Sequence, residues 1–199
     1  MSATSQAEKR QQILEAAVRA FARKGYHACR VGEIAEEAGV AYGLVYHYFG
    51  SKEELLQTIF RDTWTLMLAR IRELEAEVET ASEQVRKVTA LLLRTWRRDP
   101  DLVRVLVREV TRSPEQLQQQ IEEIGHAYEA LERIIRRGQD SGEFRSDIDA
   151  ELAATVFYGA LEEVLTGWVM GQLPSGDDEI EKAERAVAGL LSEGLLAQR

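Results

Sequence analysis

Only three prolines interrupt the 199 residues, at Pro100, Pro114 and Pro174. Proline removes a helix hydrogen bond and clashes with the preceding turn, so its placement decides how far helices can run. Pro100 follows Asp99 and Pro114 follows Ser113, the order of an N-cap and a first helical residue. Pro174 lies in Leu-Pro-Ser-Gly at 173–176, which reads as a break. With Ala, Leu, Glu and Arg abundant, the chain reads as all-α with about nine helices. Apolar spacing puts these at about 6–24, 31–38, 41–48, 52–79, 83–97, 100–110, 114–139, 150–172 and 177–197. Ser51 and Glu54 have capping-box spacing before the fourth helix, Ser82 is the expected start of the fifth, and Gly138–Asp149 reads as a loop.

The chain is 45% hydrophobic and 30% charged, which suits a packed core. The single Cys29 excludes an internal disulfide and fits a reducing compartment. No stretch resembles a signal peptide or approaches the ~18 apolar residues of a membrane span, so a cytoplasmic protein without membrane association is expected. A net charge of −9 argues at first against nucleic acid, but the charge is uneven. Residues 1–52 carry seven basic and five acidic side chains, leaving 18 basic and 29 acidic for the rest. A mildly basic head on an acidic body lets one end meet phosphates.

The informative stretch runs from Ile34 to Tyr48, Ile-Ala-Glu-Glu-Ala-Gly-Val-Ala-Tyr-Gly-Leu-Val-Tyr-His-Tyr. Small Ala35 lets two helices approach, Gly39 supplies a left-handed turn, and Ile34, Ala38, Val40 and Val45 form a wedge between them. The second helix is then left with Ala41, Tyr42, Gly43, Leu44, Tyr46 and His47 facing outward, followed by Tyr48 and Lys52. Small residues at 41 and 43 permit close approach to DNA, and tyrosine hydroxyls and a lysine suit phosphate oxygens. A plain pair of helices with core aromatics is the competing reading of Tyr46, Tyr48 and Phe49.

Gly25-Tyr26-His27, Ile34-Ala35, Ala38-Gly39-Val40, Gly43, Tyr46-His47-Tyr48-Phe49 and Ser51-Lys52-Glu53-Glu54-Leu55 resemble the TetR family signature over about residues 8–60. The resemblance implies that the third helix enters the major groove as part of a homodimer on a palindromic operator. It implies phosphate contacts at Arg30, Tyr42, Tyr46, Tyr48 and Lys52, with Tyr42 and Gly43 nearest the bases. The family usually has Thr at the positions of Cys29 and Arg30, so the hydroxyl cap of the second helix is absent, a change worth roughly 0.5–2 kcal/mol. A helix-turn-helix domain over 6–52 and a ligand-binding and dimerisation domain over 53–199 follow.

In the body, Phe157-Tyr-Gly-Ala-Leu-Glu-Glu-Val-Leu-Thr-Gly-Trp-Val-Met170 and Ile134-Ile-Arg-Arg-Gly-Gln-Asp-Ser-Gly-Glu143 resemble TetR-type repressors of fatty-acid degradation. That likeness implies a long-chain acyl-CoA effector, with Trp96, Tyr128, Phe157 and Trp168 around the acyl chain. Arginines among Arg94, Arg97, Arg98, Arg104 and Arg108 would hold the phosphates, unless they form a solvated face. A regulator of multidrug efflux, sensing other hydrophobic ligands, is the alternative and predicts buried acids. Dimerisation is expected through the last two helices, where Gly159, Ala160, Gly167 and Gly171 recur roughly every four residues and Leu190, Leu191, Leu195 and Leu196 lack obvious cover. His27, His47 and His126 are scattered, so no metal site is expected, and no nucleophile is paired with a base, so no catalytic residue is. An enzyme with a helical substrate cavity and a helix-turn-helix that meets protein rather than DNA are the other two readings.

Overall fold

A computed structural model describes the backbone over residues 3–77, 79–109 and 114–196, and the side chains of these from residue 6 onward except 114–123. Nine helices and no strand occur among the described residues. They are α1 (Ala3–Lys24), α2 (Val31–Glu37), α3 (Tyr42–Phe49), α4 (Lys52–Ala76), α5 (Ala81–Arg98), α6 (Pro100–Glu109), α7 (Pro114–Asp140), α8 (Ala150–Val169) and α9 (Asp177–Leu195). The expected Ser113 cap lies outside the described residues.

Two compact units form. One holds Met1–Thr63 and Asp101–Gln120, the other Trp64–Pro100 and Ile121–Arg199. These units cut the chain differently from the 52/53 boundary read in the sequence, because α6 packs with the head although about fifty residues separate them. In the first unit α1 buries Ile13, Ala17 and Phe21, and α2 and α3 bury Ile34, Ala35, Val45 and Phe49. Each large side chain so buried contributes roughly 1.5–3 kcal/mol.

In the second unit α5 packs most extensively on α9 and also meets α8. Its buried stripe of Val85, Val88, Leu92, Leu93 and Trp96 repeats at helical spacing. Charge reinforces the α5–α9 seam: Arg94 donates two bonds to Glu184, at 2.8 and 2.7 Å, and Arg97 meets Asp177 at 3.0 Å. Arg94 and Arg97 are thus paired with α9 while remaining at the exposed surface of α5.

Several boundaries differ from the sequence reading, each for an identifiable reason. α5 begins earlier because Thr80, not Ser82, is its cap, the hydroxyl accepting the Glu83 N–H at 3.2 Å. The Glu143 carboxylate adds bonds from the Ala81 and Ser82 N–H groups. α4 stops at Ala76 rather than near 79, since the buried Gln84 amide donates to the carbonyls of Leu74, Glu75 and Glu77. α7 continues to Asp140, past the expected break at Gly138. Gly138 is small there for packing, not for turning.

A Cβ on Gly138 would lie 2.3 Å from the Phe144 ring and 2.8 Å from the Ala81 Cβ, whereas one on Gly125 of the same helix meets nothing within 4 Å. Gly138→Ala should therefore lower stability by about 1–3 kcal/mol, and Gly125→Ala should raise it by about 0.5–1 kcal/mol. Urea unfolding of the two variants checks the opposite signs.

Candidate functional site

The head is organised around a turn that only glycine makes easily. Gly39 takes φ +64° between α2 and α3, so the chain reverses without strain. Ile34 and Val45 are fully buried at the wedge, with Ala38 and Val40 half-buried beside them. α3 consequently turns Ala41, Tyr42, Gly43, Tyr46 and His47 to solvent, while Leu44 and Tyr48 are half-buried. Tyr42 is 56% exposed and its hydroxyl lies 3.1 Å from that of Tyr46, with the two rings edge to face at 5.2 Å. Two aromatic side chains thus form one surface feature of the recognition helix. Exposed in this way, the pair offers ring faces and hydroxyls that suit base edges and sugar-phosphate.

α2 is held by acids the sequence reading passed over. The Glu33 carboxylate accepts the Arg30 N–H at 2.9 Å, the reciprocal half of a capping box that survives without the hydroxyl half. The cap is therefore altered rather than lost, and Glu33 standing three residues after Arg30 was its signal. Lys24 also pairs with Glu33. Glu37 accepts from Arg23 at 2.7 Å and Arg19 at 2.9 Å, fastening α2 to α1. Arg23 and then Arg19 hold its carboxyl below the ordinary carboxylate value.

Tyr26, in the turn between α1 and α2, is gripped from two sides. Its N–H donates to the buried Glu109 carboxylate at the end of α6, at 3.3 Å. Its carbonyl accepts from Lys52 Nζ at the start of α4, at 2.9 Å, and the same ammonium donates to the Cys29 carbonyl at 2.9 Å and sits 4.4 Å from the Tyr26 ring centroid. Arg108 of α6 donates to the Ala22 carbonyl near the end of α1, at 3.3 Å. Burial raises the Cys29 thiol, with Glu33 adding to it, so Cys29 behaves as a core residue.

The residues expected at DNA divide accordingly. Arg30, Ala41, Tyr42, Gly43, Tyr46 and His47 are exposed together. Lys52 is not the free phosphate donor that the sequence suggested. Two of its three N–H groups are engaged inside the head, and only the third remains for a phosphate.

The residues expected at the effector are dispersed. Trp96 and Trp168 meet at 6.1 Å between α5 and α8, both buried, and Phe157 is buried in the same unit. The tilted rings of Tyr128 and Tyr158 meet at 4.7 Å, and Tyr158, not expected there, lies 6.3 Å from Trp64, which the sequence leaves as either core or pocket wall. Arg97 is bound to α9. Arg104, paired with Asp101 at 2.6 Å, and Arg108, on Ala22, belong to the first unit and not to that of the aromatics. A groove of about 480 Å³ between α4 and α5 has both signs of charge in its lining, Glu73 and Glu77 beside Arg70, Lys87, Arg94 and Arg98. Arg98 makes no ion pair with a described residue. No group of three or more His, Cys, Asp or Glu able to hold a metal occurs among the described residues, and no described helix is long and apolar enough to cross a membrane.

Two substitutions separate holding from contacting. Lys52→Ala should lower the thermal stability of the head, since two carbonyls lose their donor. Arg30→Ala should leave stability unchanged and reduce the slope of log affinity against log salt by about one. Equal salt slopes for Arg30→Ala and the parent chain would remove Arg30 from the interface.

Residues 13–59 match the family described as bacterial regulatory proteins, tetR family, and residues 60–191 match that of the YsiA-like protein, C-terminal region. The chain is 36% identical over 163 residues to the fatty acid metabolism regulator protein of Bacillus subtilis (strain 168), covering 81% of this chain and 84% of that one. It superposes on the transcriptional regulator FadR from Bacillus subtilis, solved in complex with stearoyl-CoA, with a TM-score of 0.84 and 31% identity over 93% of this chain and 98% of that one. For the fatty acid degradation regulator FadR from Bacillus halodurans the TM-score is 0.85, at 30% identity over 96% and 97%. With its recognition helix exposed on a family-matched head, the chain belongs to the tetR family of bacterial regulatory proteins and is a DNA-binding transcriptional regulator.

Proposed function

We propose that the protein is a dimeric repressor of fatty-acid degradation genes, released from a palindromic operator by a long-chain acyl-CoA. Residues 6–52 read the DNA, with Arg30, Tyr42, Gly43 and Tyr46 at its surface, and residues 53–199 carry effector binding and dimerisation. The likeness to a FadR bound to stearoyl-CoA supports the effector class. The aromatic groups Trp96–Trp168 and Tyr128–Tyr158 supply an apolar wall for an acyl chain. Of the cations along the α4–α5 groove, Arg98, which has no ion pair with a described residue, suits a phosphate best, since Arg70 is paired with Glu73, Lys87 with Glu77 and Glu79, and Arg94 with Glu184, while Arg97, Arg104 and Arg108 are engaged elsewhere.

The observation that carries the gating is the double grip on Tyr26. Both gripping helices lead by direct chain connection out of the head, α4 onward past Thr63 and α6 back into α5. A ligand that prefers a conformer with either helix displaced moves the turn that positions α2 and α3. Ligand and operator then weaken each other by the same factor, and ~3 kcal/mol of coupling corresponds to about 150-fold.

Dimerisation through α8 and α9 is supported by the apolar side chains they leave in water, Leu152, Val156 and Met170 beside α8 and Leu190 on α9, the last 76% exposed. A Cβ on Gly159 of α8 would meet nothing, so a partner helix can approach there. The strip is shorter than its sequence spacing suggests. Leu195 is buried, Leu191 is half-buried, and Gly167 is packed under Leu173 of the same chain. Since α9 also covers α5, its removal would unfold the body, and charge insertion is the cleaner probe. Leu152→Glu with Val156→Glu should give a helical monomer by sedimentation that binds operator weakly, and a dimer of unchanged affinity would place the interface elsewhere.

The effector reading is tested by titrating the operator complex with acyl-CoAs of increasing length, with free CoA and free fatty acid as controls. Release at micromolar concentration by long chains alone is expected. Release by an organic cation and by no acyl-CoA would replace this reading with the efflux alternative.

A further inference from the structure

The second unit contains a hydrogen-bond donor with nothing to donate to. The Trp64 indole Nε1 is buried and has no partner, one of two such side-chain atoms among the described residues. Buried polar atoms are nearly always satisfied, so an orphan indole N–H calls for an acceptor that the folded chain does not itself supply. Trp64 is at ring contact with Tyr158 of α8, and Tyr158 with Tyr128 of α7. Neither phenol makes a hydrogen bond with a described residue. The three side chains present ring faces and donors, and no acceptor among the described residues takes up the indole proton.

We propose that Trp64 donates its indole N–H to the carbonyl oxygen of an acylated effector, fixing the acyl head against the Trp64–Tyr158–Tyr128 wall. The inference rests on the acyl-thioester reading above and goes beyond it, naming the atom recognised and the residue that recognises it. The ring edge bearing the N–H carries positive partial charge, which favours a carbonyl oxygen over a cationic head. Burial, and after it Glu162, raises the Tyr158 phenol, which keeps it protonated and a donor. Burial, and then Glu162, raises the Tyr128 phenol as well, so neither phenol of the wall ionises readily. A neutral, polarised carbonyl on an apolar chain is the group such surroundings accept.

The test uses the full-length protein and two ligands that differ by one atom pair: hexadecanoyl-CoA, a thioester, and S-hexadecyl-CoA, a thioether with no carbonyl. The unsubstituted protein should bind the thioester on the order of tenfold more tightly by calorimetry. Trp64→Phe should abolish that preference, the thioester losing more affinity than the thioether, with operator binding unchanged. In protein carrying ¹⁵N-tryptophan, one of the three indole N–H signals should shift with the thioester and not with the thioether, a readout that needs no variant. Equal affinity of the unsubstituted protein for both ligands, or a preference retained by Trp64→Phe, overturns the assignment of Trp64 while the acyl-CoA reading stands. Failure of both ligands to bind overturns the two together.

Discussion

The backbone of Tyr26 is where the head is held. Its N–H is taken by a carboxylate from α6 and its carbonyl by an ammonium from α4, and the next element along the chain is the first helix of the reading motif. A helix-turn-helix fixes the relation of α2 to α3 by its own wedge and by Gly39, but the wedge says nothing about how the pair is aimed. The grip on Tyr26 contributes to the aim, together with the Glu37 and Glu33 pairs that fasten α2 to α1. Because neither gripping residue lies within the motif, the aim depends on helices whose other connections belong to the body of the protein. In the proposed gating, the effector's signal passes through these few hydrogen bonds around one turn.

The distribution of charge follows the same economy of parts. A net charge of −9 leaves basic side chains scarce, and most of those on the described surface are spent on internal acids. Arg19 and Arg23 fasten α2, Arg94 and Arg97 fasten α9, and Arg133 fastens α4 through Glu75 at 2.7 Å. Exposed pairs of this kind contribute little stability singly, but they determine which cations stay available for phosphates. Arg30 on the head and Arg98 on the body are among those without an acidic partner, which makes them the informative positions for two different anions.

What the sequence made legible was whatever is encoded locally. The left-handed turn at Gly39, the wedge at Ile34 and Val45, and the outward placing of Ala41, Tyr42, Gly43, Tyr46 and His47 all depend on spacing within fifteen residues, and the structure has them so, with Leu44 alone of the expected set half-buried. What escaped was long-range. Glu109 reaches Tyr26 across 83 residues and Lys52 reaches it across 26, and no periodicity reports such pairings. Lys52 accordingly looked like a surface lysine. Gly138 looked like a helix end because glycine usually ends helices, whereas its role is to admit the Phe144 ring. Leu195 looked uncovered because its cover, around the short bridge between Phe144 and Leu196, comes from a loop some fifty residues earlier. The aromatic wall was partly legible: Tyr128 and Trp64 stood out by type, the latter as core or pocket wall alike, while Tyr158 gained significance only when α4, α7 and α8 brought the three into contact.

The central claim is that effector binding reaches the recognition helix through the grip on Tyr26. Hydrogen exchange of the Tyr26 backbone amide, followed by NMR with and without saturating long-chain acyl-CoA, tests this directly. Its N–H is bonded only so long as Glu109 stays in place, so the account predicts slow exchange in the free protein and markedly faster exchange in the effector complex. Protection at Tyr26 unchanged by an effector that releases the operator would contradict it, and would mean that the signal reaches α3 by another route.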